Sequence, residues 1–173
     1  MKRIFLTGYM GVGKTIIGRT LGEKINFSYI DTDHFIENRY RKKISEIFAI
    51  EGENRFREIE HNVISELSDF EHVVISTGGG LPCFNNNMEL MNKKGITVYL
   101  EASATLLAAR LEASNTVRPV LQGRFGEDLR KFISENLEKR RICYEQAKIR
   151  FNVEEMKDEK DIKVLLKALQ QII

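Results

Sequence analysis

The chain has 173 residues, 42% of them hydrophobic and 30% charged, with a formal net charge of only +2. That length suits a single domain, residues 1–173, able to bury roughly 70% of its unfolded surface. The near-neutral charge gives no electrostatic case for nucleic acid or an anionic membrane as a partner. No apolar run approaches the ~18 residues of a membrane span, and the N-terminal apolar run is too short for a signal peptide. Cys83 and Cys143 lie far apart in the sequence without metal-ligand spacing; reduced, partly buried thiols in a cytoplasmic protein are expected. His34, His61 and His72 form no metal-binding pattern, so structural or surface roles are expected for them.

Residues 2–7 form a short apolar run with β-branched and aromatic members, a strand that ends at Gly8. Gly8-Tyr9-Met10-Gly11-Val12-Gly13-Lys14-Thr15 then spells G-x-x-x-x-G-K-[ST]. In such a loop, successive backbone N–H groups curl round a β-phosphate, which glycine permits. The lysine reaches the β- and γ-phosphates and the threonine hydroxyl can ligate Mg²⁺. Ile16, Ile17 and Leu21 predict a following helix with one apolar stripe, its positive N-terminal end aimed at the anion. A second, buried strand is expected over 27–31, helical structure over 34–50, and a further helix from about 53 to 67. A third strand spans 72–76 and runs into Gly78-Gly79-Gly80. A short helix at 87–93, a strand at 95–100, and a helix capped by Ser103 and reaching Arg110 follow. Periodicity is lost over 112–124. A long helix over 125–147 with a break near Glu127, a short strand at 150–153 and a helix at 158–172 complete the chain. Strands alternating with helices predict an α/β fold with a parallel sheet covered on both faces. Ligands gather at the carboxyl ends of such strands, where Gly8, Asp31 and Gly78 would meet in one cleft.

Asp31-Thr32-Asp33 closes the second strand. One carboxylate there can support Mg²⁺ opposite Thr15, and another can orient an attacking hydroxyl and accept its proton. Strand alternation would put both on one side; the competing reading makes Asp33 a helix N-cap. The glycine triplet lets backbone lie against a substrate, or is merely a strained turn. Arg57 can grip a carboxylate in a fork, or pair along its helix with Glu53 and Glu60. Arg118, stiffened by Pro119, suits a lid that carries positive charge to a transferring phosphoryl group, or lies on a plain surface loop. Lys139-Arg140-Arg141 is a solvated basic face or a second clamp.

The ordered set of GYMGVGKT, DTD at 31–33, GE…FRxIE at 52–60, GGG at 78–80, NTVRP at 115–119 and R…Y at 140–144 resembles the shikimate kinase family. That family belongs to the nucleoside-monophosphate-kinase-like branch of phosphate-loop proteins, and the resemblance spans almost the whole chain. It implies a three-layer fold, with a five-stranded parallel sheet flanked by helices, an acceptor-binding segment at about 32–62 and a lid at about 112–124. It implies transfer of the ATP γ-phosphoryl group to the 3-hydroxyl of shikimate in aromatic amino-acid synthesis, with Mg²⁺, by a monomer whose partners are its small-molecule substrates. Gly11, Val12, Gly13, Lys14, Thr15 and Ile16 would contact the nucleotide, Arg110 would stack on adenine, and Arg118 would reach the γ-phosphate. Thr15 and Asp31 would serve the metal. Asp33 would bind the shikimate hydroxyls and act as base, with Lys14 and Arg118 as its catalytic partners. Arg57 and Arg140 would clamp the shikimate carboxylate, beside the backbone of Gly79 and Gly80. An anionic acceptor suggests a pocket with two arginines and no matching acidic residue. Leu81-Pro82-Cys83 departs from the family's commonest pattern, in which small or β-branched residues follow the triplet. The alternatives are a gluconate-kinase-like enzyme and a nucleotide-binding regulatory module that does not turn over.

Overall fold

A computed structural model describes residues 2–114, 121, 123–154, 156 and 162–170. Among these, five parallel strands form one sheet in the order β2-β3-β1-β4-β5. The strands are β1 (Arg3–Thr7), β2 (Ser28–Asp31), β3 (Val73–Ser76), β4 (Ile96–Glu101) and β5 (Ile149–Asn152). The helices are α1 (Lys14–Ile25), α2 (Thr32–Tyr40), α3 (Ile44–Leu67), α4 (Asn87–Lys94), α5 (Ala104–Glu112), α6 (Gly126–Tyr144) and α7 (Ile162–Gln170), with a short 3-10 turn at Leu81–Cys83. The expected α/β architecture is therefore present, with element ends moved by a few residues.

Side-chain alternation along the central strands builds two cores. Ile4, Leu6, Val74, Val98 and Leu100 face one side and pack with Leu21, Leu107, Ile133 and Leu165 from α1, α5, α6 and α7. Phe5, Val73 and Ile75 face the other and pack with Ile36, Ile59, Val63 and Met91 from α2, α3 and α4. A strand buried on both faces has no polar side, which is why β1 and β3 read as continuous apolar runs.

The departures from expectation have local causes. β2 is an edge strand and only half buried. Residues 34–50 are not one helix: α2 ends at Tyr40, Arg41 follows in the left-handed region, and α3 starts at Ile44. α3 itself is interrupted at Gly52 (φ 80°, ψ 171°), so its second part begins where a separate helix was expected. Ile16 is 64% exposed while Ile17 and Leu21 are buried, so only the latter two belong to the α1 stripe. α6 runs through Glu127 without a break. Ser103 caps α5 as expected, its hydroxyl accepting from the Leu106 N–H at 3.1 Å.

Register places the site. Asp31 pairs with Ser76, and Ser76 with Leu6, so the last residues of β2 and β3 stand level with the penultimate residue of β1. The loops that leave this row share one open cleft of about 1950 Å³. It lies where strand order reverses about β1, the position expected for ligands in a doubly wound sheet.

Candidate active site

The loop from Gly8 to Lys14 connects β1 to α1. Gly8, Gly11 and Gly13 adopt positive φ (137°, 82° and 105°), which side-chain-bearing residues rarely enter. Gly8 is also pressed against β4: a side-chain carbon there would lie 2.5 Å from the Leu100 carbonyl oxygen. Lys14 Nζ donates to the Gly8 and Tyr9 carbonyls at 2.7 and 3.0 Å, which holds the ammonium over the loop. Ser76 Oγ donates to the Lys14 carbonyl at 3.0 Å and ties the start of α1 to the end of β3. Arg110 reaches the loop from α5, donating from Nη1 to the Val12 carbonyl at 2.9 Å. That contact puts the Arg110 guanidinium against the backbone of the loop.

Thr15 Oγ1 and Asp31 Oδ2 face each other at 3.3 Å. Asp31 Oδ1 accepts from the N–H groups of Asp33 and His34 at 3.1 and 3.2 Å, so Asp31 is the N-cap of α2. This corrects both readings of the DTD segment. Asp33 is not the cap, and the helix begins at Thr32, so strand alternation is not what brings the two carboxylates together. Both still line the cleft, Asp31 from the strand end and Asp33 from the first helical turn. Thr32 turns the other way and is buried, its hydroxyl accepting from the Gly78 N–H at 2.8 Å.

None of the three triplet glycines has positive φ among the described residues, so the triplet is not a strained turn. The need is for space. A side chain at 78 would collide with Asp33 Oδ1 and come within 3.1 Å of Glu60 Oε1. One at 79 would lie 3.6 Å from Arg140 Nη1, and one at 80 would lie 2.8 Å from Arg57 Nη1. The triplet is thus the floor on which Asp33, Arg140 and Arg57 converge. Tyr144, buried and stacked on Tyr99, anchors that floor by donating to the Gly79 carbonyl at 2.5 Å.

Arg57 makes the helix pairings of one reading and faces the cleft, as the other reading requires. It pairs along α3, with Nε and Nη2 donating to Glu53 Oε1 at 3.2 and 2.9 Å and Nη1 to Glu60 Oε2 at 2.7 Å. Its side chain is nevertheless only 13% exposed and lines the cleft, so it is not a solvated surface arginine. A guanidinium has five N–H donors; these contacts use three, leaving one on each terminal nitrogen without a hydrogen bond among the described residues. Arg140 lies across the floor on α6, its guanidinium 5.4 Å from the Tyr9 ring centroid.

The expectation of a pocket without acidic residues is wrong. Glu60 is fully buried beside Arg57 and within the Coulomb reach of Asp33 and Arg140. Burial pushes its carboxyl up to about 7; Arg57 and Arg140 oppose the rise, and Asp33 adds to it. The i, i+3 spacing of Arg57 and Glu60 was the available signal, and it identified the pair but not its burial. Cys83 and Cys143, distant in sequence, meet in space. Both are free thiols, and the Cys143 S–H donates a hydrogen bond to the Cys83 sulfur, which lowers the Cys83 pKa and raises that of Cys143. His61 is structural, Nδ1 lying 2.7 Å from Asn87 Oδ1. Arg118 and residues 115–120 and 122 of the expected lid lie outside the described residues.

The family model described as shikimate kinase matches residues 10–170. A shikimate kinase of Parabacteroides distasonis is 53% identical over 173 residues, covering the full length of both chains. The chain belongs to the shikimate kinase family. A crystal structure of the Bacteroides thetaiotaomicron shikimate kinase superposes with a TM-score of 0.93 at 46% identity, over 99% of this chain and 97% of that one. The shikimate kinase of Acinetobacter baumannii in complex with shikimate gives 0.84 at 34%, over 99% and 93%. A gluconokinase from Sinorhizobium meliloti reaches only 0.60 at 14% identity, a likeness of fold alone. The phosphate-loop kinase fold is thus common to both groups, and the sequence sides with the shikimate kinases.

Proposed function

We propose that the cleft transfers the γ-phosphoryl group of ATP to the 3-hydroxyl of shikimate, giving shikimate 3-phosphate and ADP. The observation that carries this reading is the convergence of two half-sites. The nucleotide loop with Thr15 and Asp31 forms one half, and Asp33, Arg57 and Arg140 over the glycine floor form the other. The second half holds two guanidiniums for a carboxylate and one carboxylate for a hydroxyl, matching an acceptor that is a hydroxylated acid.

Phosphoryl transfer spreads negative charge over the equatorial oxygens in a loose transition state, so placement and positive charge do most of the work. Lys14 supplies charge from the loop, and Arg118 supplies it from a lid at about 112–124. Asp33 orients the 3-hydroxyl and takes its proton; Arg57 and Arg140 hold the carboxylate and set the ring's direction. The acceptor segment is then about 32–62, since α2 and the first half of α3 wall that side. Thr15 Oγ1 and Asp31 Oδ2 are hard oxygen donors 3.3 Å apart beside the phosphate loop, a set that suits Mg²⁺ with phosphate oxygens and water completing its shell. When bound, Mg²⁺ would neutralise developing phosphate charge. Among the described residues no helix is long and apolar enough to cross a membrane; a cytoplasmic monomer is the form we propose.

A coupled ADP-release assay with shikimate and gluconate as separate acceptors tests the reading. Turnover with shikimate, with the product identified as shikimate 3-phosphate, is expected. Turnover with gluconate alone, or nucleotide binding without phosphorylation of either acid, overturns it.

A further inference from the structure

Phe84 is a large apolar side chain, 37% exposed, that belongs to neither core. Packing therefore gives no reason for an aromatic ring at this position. The Arg57 guanidinium does, since its central carbon lies 4.0 Å from the Phe84 ring centroid. Phe48 and Phe56 are farther from it, at 5.7 and 5.5 Å, and both pack into the core. A cation this close over a ring face is attracted by the ring's quadrupole, and a planar guanidinium also stacks on it.

The segment that follows Phe84 is fastened to α3 at two points. Asn85 Nδ2 donates to the carbonyl of Arg57 itself at 2.9 Å. Asn87 Nδ2 donates to the Leu81 carbonyl at 2.9 Å, and Asn87 Oδ1 meets His61, one helical turn beyond Arg57, at 2.7 Å. Asn85 and Asn86 both adopt the left-handed conformation (φ 50° and 55°), which asparagine tolerates and which bends the chain back onto the helix. Leu81-Pro82-Cys83 is the turn that delivers Phe84 to this place.

We propose that Phe84 is a positioning residue for the acceptor anion: its ring fixes the plane of the Arg57 guanidinium so that the two remaining terminal N–H groups point into the cleft. Glu53 and Glu60 restrain the guanidinium within its own plane, and the ring restrains it out of that plane. Phe84 does not itself line the cleft, so it acts only through Arg57. This inference rests on the reading of Arg57 as a carboxylate clamp.

The test is a double-mutant cycle on shikimate Kd, measured by calorimetry with ADP present, together with steady-state kinetics. Phe84→Leu should raise Kd and KM for shikimate about 3- to 10-fold, with ADP affinity unchanged and kcat within about twofold. Phe84→Tyr, which keeps the ring, should restore both. In the Arg57→Ala background, Phe84→Leu should add nothing. Thermal melts and ADP binding report folding; if Arg57→Ala does not fold, Arg57→Lys replaces it, because the amine keeps a bond to Glu60 while losing the flat fork. A raised Kd in Arg57→Ala with no effect of Phe84→Leu overturns this inference and leaves the clamp standing. An equal effect of Phe84→Leu with and without Arg57 also overturns it. An unchanged Kd in Arg57→Ala overturns the clamp reading and this inference with it.

Discussion

Replacing Glu60 with glutamine should remove a pH dependence of stability that the buried carboxyl creates. In the folded chain this group titrates at about 7, against an ordinary 4.5. Between those values the folded state holds the proton and the unfolded state does not. Stability from this group is therefore complete below pH 4.5 and is lost as pH rises through about 7. At about 1.4 kcal/mol per pH unit, the loss amounts to about 3 kcal/mol. Glutamine keeps an oxygen for Arg57 Nη1 and does not titrate, so the variant should gain on the parent as pH rises. Denaturant unfolding of both proteins from pH 4.5 to 8.5 at one ionic strength measures the difference directly. The corresponding separation in Tm is about 6–12 °C for a chain of this size. Because the carboxyl is buried, moderate salt should change the difference little. Parallel stability curves for parent and variant would refute the argument. They would mean that the bond to Arg57 keeps Glu60 ionised throughout, with the pair outweighing desolvation.

Other outcomes follow from the same cleft. Asp33→Asn should lower kcat by about 10²-fold or more while ATP affinity, measured by calorimetry, survives; near-parental kcat would remove Asp33 from its role. Arg57→Ala should raise the shikimate KM by about 10- to 100-fold through loss of charged hydrogen bonds, with the ATP KM little changed. Gly78→Ala should abolish most activity, because the added carbon collides with Asp33. Gly79→Ala, whose carbon meets its neighbours at ordinary contact distance (3.6 Å), should fold normally; equal behaviour of the two would contradict the packing of the floor. Cys83 should alkylate with iodoacetamide before Cys143, since the hydrogen bond favours the Cys83 thiolate and disfavours the other. Peptide mass spectrometry over a time course reads the order.

Much of the site was legible because its chemistry is local in sequence. The phosphate loop is eight consecutive residues, and its dihedral demands are met by glycines in a fixed pattern. The apolar runs of β1 and β3 announce strands buried on both faces, and a strand that passes straight into glycine marks the carboxyl end where ligands collect. What spacing alone misjudged was direction. Asp31 and Asp33 were assigned to one strand face, yet a helix starts between them, because Asp31's own carboxylate caps it. A strained turn is an open alternative for Gly78-Gly79-Gly80 in the sequence, and three side chains from α2, α3 and α6 pressed against it show that its need is for space.

By itself, the sequence determined the nucleotide half of this protein, the parallel α/β class, and the residue types available to hold an acid. These depend on neighbours within a few positions, where backbone geometry alone sets what can meet. Only the tertiary structure decided which side chains line the proposed acceptor half. Arg57 and Arg140 are far apart in the chain, and whether either faces water or the cleft depends on how α3 and α6 pack on the glycine floor. The charge state of Glu60, the meeting of Cys83 with Cys143 and the ring of Phe84 beneath Arg57 depend on the same packing. Desolvation and through-space contact act over ångströms, and sequence separation carries no record of them.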